Sequence, residues 1–439
     1  MRKLFSIFIV ATALLFVVTS CNRDEKRKSI LKVYNWADYI DEDLLGEFEE
    51  WYKEQTGEDI EIVYQLFDIN ETMLAKIERG KEDFDVACPS EYIIERMLKN
   101  DLLLPINKDF GDTPNYLGNV SPYIHDVFDQ IDGNGKNAND YAVGYMWGTT
   151  GFLYNKRYVE RSEVDSWSAL WDSKFKGKLF VKDAFRDVYS PLLIYANQDR
   201  IKRGEVSMSE LMHDSSDESI AVVENLLKKA KPNVAGWEAD FGKEMMTKEK
   251  AILNLTWSGD AVWAIEEAAE VGVELDYTVP KEGSIVWFDG WVIPKYAKNV
   301  KAASYFINFM CKSENAIRNM EEIGYVSVIG TKEVMDYMSE SAVEAGLEEP
   351  LDLTYFFGDE ADSVVIDPVL YADKAVIDRC AMMHDSGPRT SALLEMWSRV
   401  KGDNLNNAMV IFILFVFGCL SIAGIMRKIK RRRQRTRRW

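Results

Sequence analysis

The chain has 439 residues, 47% of them hydrophobic, a length and composition that support two or three domains with real cores and exclude a disordered polypeptide. Its formal charge is −19, and eleven basic residues lie at the ends (Arg2, Lys3 and nine beyond position 426), so the remainder carries about −30. Such a field repels nucleic acid and anionic lipid and favours cationic ligands, but solubility also accounts for an acidic surface, so only local carboxylates argue for a ligand.

Arg2 and Lys3 precede an apolar run from Leu4 to Val18, and Val18-Thr19-Ser20-Cys21 closes it with small residues before a cysteine. This is a secretory signal peptide over 1–20, and its end resembles a bacterial lipoprotein cleavage site that would leave Cys21 acylated. Residues 408–426 are free of charge and long enough for a transmembrane helix, and nine arginines and lysines follow in 427–439, a basic tail that the positive-inside rule places in the cytoplasm. Cys88, Cys311 and Cys380 remain for the external portion, enough for one disulfide at most. His125, His213 and His384 have no metal-ligand spacing, so neither a metal site nor a cofactor is expected.

After a charged tether at 21–29, Ile30 to Tyr34 reads as a strand that runs into Trp36 and Tyr39. Asp41 is placed to start a helix whose Leu44, Leu45, Phe48, Trp51 and Tyr52 recur at helical spacing until Gly57. Ile60 to Phe67 is a second strand, Asn70 or Asp68 caps a second helix, Phe84 to Ala87 is a third strand, and Pro89-Ser90 opens a third helix. Strands alternating with helices predict βαβ units and a parallel sheet with ligands beyond the carboxyl ends of its strands. Tyr141 to Tyr154 reads as a first crossing between two lobes, Ala251 to Asp260 as the return, and Ile285 to Ile293 as a further strand pair.

Four strand ends carry an aromatic with an acid or hydroxyl close by, and together they supply what a linear polyamine needs. Ammonium groups call for carboxylates (Asp187, Asp260, Asp289), and cation–π contacts and a flat apolar wall call for aromatics (Trp36, Tyr39, Tyr92, Trp257, Trp287, Tyr325). Each has an ordinary structural reading as core aromatic or helix cap; recurrence at independent strand ends favours the ligand.

Tyr34-Asn35-Trp36-Ala37-Asp38-Tyr39, Asn70-Glu71-Thr72-Met73, Asp85-Val86-Ala87-Cys88-Pro89-Ser90-Glu91-Tyr92, Tyr145-Met146-Trp147-Gly148-Thr149-Thr150-Gly151, Trp257-Ser258-Gly259-Asp260 and Trp287-Phe288-Asp289 resemble, in order and spacing, the spermidine/putrescine-binding proteins of bacterial ABC transporters. The resemblance spans about residues 31–400. It implies a two-lobed α/β periplasmic binding protein of type II with two crossings. Lobe 1 would be 30–145 with 260–315, and lobe 2 would be 146–259 with 316–403. It also implies a monomer without catalytic residues that closes on a polyamine and delivers it to a permease with its ATPase subunits, on the outer face of the cytoplasmic membrane. Carried over, it makes Trp36 and Tyr39 first-lobe aromatics, Ser90 and Tyr92 a second contact loop, and Trp257 with Asp260 a hinge-side clamp, with Asp187, Trp287, Asp289 and Tyr325 completing the pocket. Where the family's spermidine binders have two acids, this chain has Ala184 and Asp187, which leaves the choice between putrescine and spermidine open. A membrane-anchored sensor and a carboxylate-dependent glycosidase are the rival functions; the 13 residues after the span are too few for an output domain.

Overall fold

The structure is a computed structural model that describes residues 27–239 and 241–402. The leader at 1–20, Cys21, the 408–426 stretch and the basic tail lie outside the described residues. Among the described residues no helix is long and apolar enough to cross a membrane.

Twelve strands form one curled sheet: β1 (Ile30–Trp36), β2 (Glu61–Phe67), β3 (Val86–Ala87), β4 (Leu103–Leu104), β5 (Ala142–Asn155), β6 (Leu179–Lys182), β7 (Val234–Glu238), β8 (Leu253–Trp257), β9 (Leu275–Thr278), β10 (Ser284–Pro294), β11 (Val326–Ser327) and β12 (Cys380–Met382). Their order is β2-β1-β3-β10-β5-β8-β6-β7, with β9 and β11 on β5 and with β4 and β12 on β10. The expected parallel pairing holds at the two ends, among β1, β2 and β3 and among β6, β7 and β8. It fails in the middle, where β5 runs antiparallel to β8, β9, β10 and β11. Periodicity identifies a strand but not its direction, and β5 and β10 are buried along their whole length, so they read only as apolar runs.

β8 lies between β5 and β6, and β10 pairs with both β5 and β3. One further expectation changes. The expected strand pair near 285–293 is one continuous strand, β10, whose pairing with β5 slips between Asp289 and Gly290.

Helices α1 (Asp43–Thr56), α2 (Asn70–Glu78) and α3 (Glu91–Lys99) follow β1, β2 and β3. Leu44, Phe48 and Tyr52 turn the apolar face of α1 inward, and Gly57, at φ 73°, ends the helix with its N–H on the Lys53 carbonyl. Trp147, Trp167 and Trp291 are fully buried, and Trp291 packs against Tyr145 and Phe306 at ring distances of 4.5 and 5.5 Å.

Asp85 pins three segments beside β3. Its carboxylate is fully buried and accepts from the backbone N–H groups of Lys32, Lys298 and Asn299 at 2.8 to 2.9 Å and from Arg27 at 2.8 Å. Asp85→Ala leaves the three backbone donors without an acceptor and Arg27 with Asp83 alone as a carboxylate partner, a loss of about 3 to 5 kcal/mol by the measure of broken buried ion pairs. Denaturant unfolding of the variant should show that loss.

Candidate functional site

The strand ends converge because the crossovers return each helix to the same edge of the sheet. Trp36 ends β1 and Tyr39 follows three residues later; Ser90 and Tyr92 follow β3 across the start of α3. Helix α4 (Phe185–Lys202) carries Asp187 in its first turn, and α5 (Ser258–Glu270) carries Asp260 in its first turn, just after Trp257. Trp287 and Asp289 lie in the middle of β10, and Tyr325 immediately precedes β11.

Their side chains form one contact circuit. Trp257 Nε1 donates to Asp187 Oδ1 at 2.8 Å. The Trp257 ring lies 6.5 Å from Trp287, Trp287 lies 5.6 Å from Tyr325, and Tyr325 lies 5.5 Å from Tyr39. The Tyr39 hydroxyl donates to Asp289 Oδ2 at 2.9 Å, and Ser90 Oγ donates to Asp289 Oδ1 at 2.6 Å. Asn70 Nδ2 then donates to both Ser90 Oγ and the Tyr92 hydroxyl at 2.9 Å. The Arg186 guanidinium lies over the Tyr92 ring at 4.0 Å and returns the circuit to its neighbour Asp187. Asp260 joins through Tyr325, whose hydroxyl donates to Oδ1 at 2.8 Å. Trp36 stands outside the circuit, with Nε1 on the Cys88 carbonyl and its ring against Phe67.

The acids of this site are not equivalent. Asp187 and Asp289 are buried, and among the described residues neither has a lysine or arginine within ion-pair distance. Burial pushes both carboxyls up to about 6, against the hydrogen bonds from Trp257 to Asp187 and from Ser90 and Tyr39 to Asp289, which favour the ionised form. Their mutual repulsion adds to the rise at Asp289. Asp260 is held below the usual carboxylate range despite its burial, because Lys182 and Lys243 lie close to it. The Lys182 ammonium is 2.5 Å from Asp260 Oδ2.

Four residues outside the expected set shape the site. Asn70, a cap candidate in the sequence, makes no cap bond and instead ties Ser90 to Tyr92. Glu91 looks like an ordinary first-turn acid, yet it is fully buried: Oε2 accepts from the Phe288 N–H at 3.0 Å and Oε1 has no partner. Burial pushes its carboxyl well up, helped by the charges of Asp289 and Asp187. Arg186 pairs with Glu71 at 2.6 Å and so links α4 to α2. Lys182 ends β6 and would pass in the sequence for a solvated lysine. Asn70 and Glu91 had a nearby signal, since both lie in motifs that carry the family resemblance; Arg186 and Lys182 had none. Cys88, Cys311 and Cys380 are free thiols.

The sequence matches the bacterial extracellular solute-binding protein family over residues 48–342. The chain belongs to that family. Its relatives among solute-binding proteins include the spermidine/putrescine-binding periplasmic protein of Escherichia coli K12, 30% identical over 327 residues that make up 74% of this chain and 84% of that one. A putrescine-binding periplasmic protein of the same organism is 28% identical over 331 residues, 73% of this chain and 82% of that one. Among solved structures, the substrate-binding protein of a spermidine/putrescine ABC transporter from Streptococcus pneumoniae is 28% identical, with a TM-score of 0.61 over 85% of this chain and 98% of that chain. This solute-binding protein therefore has the periplasmic binding protein fold, and its contact circuit joins the ends of β1, β3 and β8 and the helix starts that follow to the middle of β10, where Trp287 and Asp289 were expected at a strand end.

Proposed function

We propose that the chain is the polyamine-binding component of an ABC uptake system and that its ligand's ammonium groups bind at Asp187 and Asp289. The observation that carries this reading is the pair of buried carboxylates that, among the described residues, have no lysine or arginine within ion-pair distance, joined through Trp257, Trp287, Tyr325 and Tyr39. Burying an uncompensated carboxylate is costly, and an arriving ammonium removes that cost while the rings contribute cation–π contact and an apolar wall for the methylenes. The ten residues Trp36, Tyr39, Ser90, Tyr92, Asp187, Trp257, Asp260, Trp287, Asp289 and Tyr325 are the proposed binding set, with Asp260 acting through its pairing with Lys182. The proposed lobes, 30–145 with 260–315 and 146–259 with 316–403, close on the ligand as a monomer and present it to the permease. Acylated Cys21 and the 408–426 span hold the protein at the outer face of the cytoplasmic membrane.

A thermal-shift panel of putrescine, cadaverine, spermidine, amino acids and sugars tests the reading. Saturation at a hundred times Kd stabilises by about 2.7 kcal/mol, so a binding polyamine raises Tm visibly. No shift with any polyamine, or a shift with a sugar alone, removes the proposal.

Close backbone approach gives a second check. A Cβ on Gly148 would stand 2.6 Å from both Ser258 Oγ and the Trp287 ring. Gly148→Ala therefore displaces the Trp287 wall at an overpacking cost of about 1 to 3 kcal/mol, and calorimetry should show putrescine binding weakened by about tenfold or more.

A further inference from the structure

The Trp257–Asp260 corner of the site already contains an ammonium group. Lys182 and Asp260 both have nearly buried side chains, 1% and 7% exposed, and Nζ lies 2.5 Å from Asp260 Oδ2. The same Nζ donates to the Ala239 carbonyl at 2.8 Å, lies 3.5 Å from Glu238 Oε1 and sits 4.2 Å from the centre of the Trp257 ring. A carboxylate, a carbonyl and an aromatic face are the parts that a ligand ammonium would use. We propose that Lys182 is a resident counter-ion that fills this cation subsite and limits the ligand to two ammonium groups, making it a specificity-determining residue. The inference rests on the polyamine reading above and extends it from a class of ligand to a number of charges.

The balance of charge around the site carries the argument. Lys182 and Lys243 offset Asp260 and Glu238, the second lysine lying 4.0 Å from Asp260. Arg186 offsets Glu71. Burial, with the charges of Asp289 and Asp187 nearby, favours the neutral form of the Glu91 carboxyl. Among the described residues, Asp187 and Asp289 are the acids of the circuit that these cations leave without an ion pair, two carboxylates for two ammonium groups. A third ammonium finds its carboxylate taken and meets the like charge of Lys182, a juxtaposition that costs several kcal/mol in a desolvated contact.

Calorimetric titration of the full chain with putrescine and with spermidine, in the natural protein and in Lys182→Met, tests this. The natural protein should bind putrescine about tenfold or more tightly than spermidine. Lys182→Met frees Asp260 and Glu238 for a third ammonium, so the spermidine-to-putrescine affinity ratio should rise by about tenfold or more, and adding Asp260→Asn should reverse that rise. Both ligands binding to Lys182→Met with the ratio of the natural protein overturns the inference and leaves the polyamine reading intact. Spermidine binding the natural protein as tightly as putrescine overturns it too, a result that stands even where Lys182→Met does not fold. Neither ligand binding the natural protein removes both.

Discussion

Asp289→Asn weakens putrescine binding by about 2 to 5 kcal/mol, the cost of leaving one member of a desolvated charge pair alone. Both Asp289 oxygens already accept, one from Tyr39 and one from Ser90. An asparagine offers only one acceptor oxygen, so its amide meets a donor on one side and leaves an ammonium without a carboxylate on the other. The loss corresponds to about thirtyfold or more in Kd, read by calorimetry, and a change of less than about threefold excludes Asp289 as an ammonium ligand. The variant should fold, because the uncharged side chain removes a buried charge that, among the described residues, has no lysine or arginine within ion-pair distance.

Acidification should weaken putrescine binding by about a hundredfold between pH 7.5 and pH 5. Asp187 and Asp289 both titrate near 6, raised by burial, and a dication needs them ionised. Each carboxylate one unit below its pKa weakens apparent affinity by about tenfold. Unliganded stability responds with the opposite sign at these groups. Their folded pKa lies above the ordinary value of 3.8, so the folded protein takes up protons first. The cost of burying their charge is fully present above about pH 6 and is relieved as pH falls towards 4. Putrescine-induced stabilisation should therefore shrink at pH 5, and the double variant Asp187→Asn with Asp289→Asn should lose that pH dependence of ligand-induced stabilisation. Affinity that is flat from pH 7.5 to 5 contradicts the assignment of both acids.

The helix and strand periods of the first hundred residues were legible because the core face of each element is written locally, as with Leu44, Phe48 and Tyr52 on α1. Tyr39, Ser90, Tyr92 and Trp257 were legible because strand ends of one sheet share an edge, whatever their distance in sequence; Trp287 and Asp289 reach the same place from the middle of β10. Strand direction in β5 and β10 was not legible, since periodicity carries no direction and strands buried along their whole length lose even their alternation. The role of Asn70 was hidden because a short polar residue before a helix fits a cap as well as a cross-link. Lys182 was hidden for a different reason: its partner Asp260 is 78 positions away, and nothing near a lysine at a strand end marks it as buried. The slip between Asp289 and Gly290, which accompanies the turn of the carboxylate towards Tyr39 and Ser90, depends on pairing with β5 and has no signature in β10 alone.

Calorimetric titration of putrescine at pH 6, in two buffers of different ionisation enthalpy, tests the central claim most directly, because it reads both binding and the protons it displaces. Two carboxylates near their pKa hold about one proton between them at that pH, so binding at one site per chain should release about one proton per putrescine. Absence of binding heat in both buffers, or binding with no proton released, would contradict an ammonium seated at each of Asp187 and Asp289.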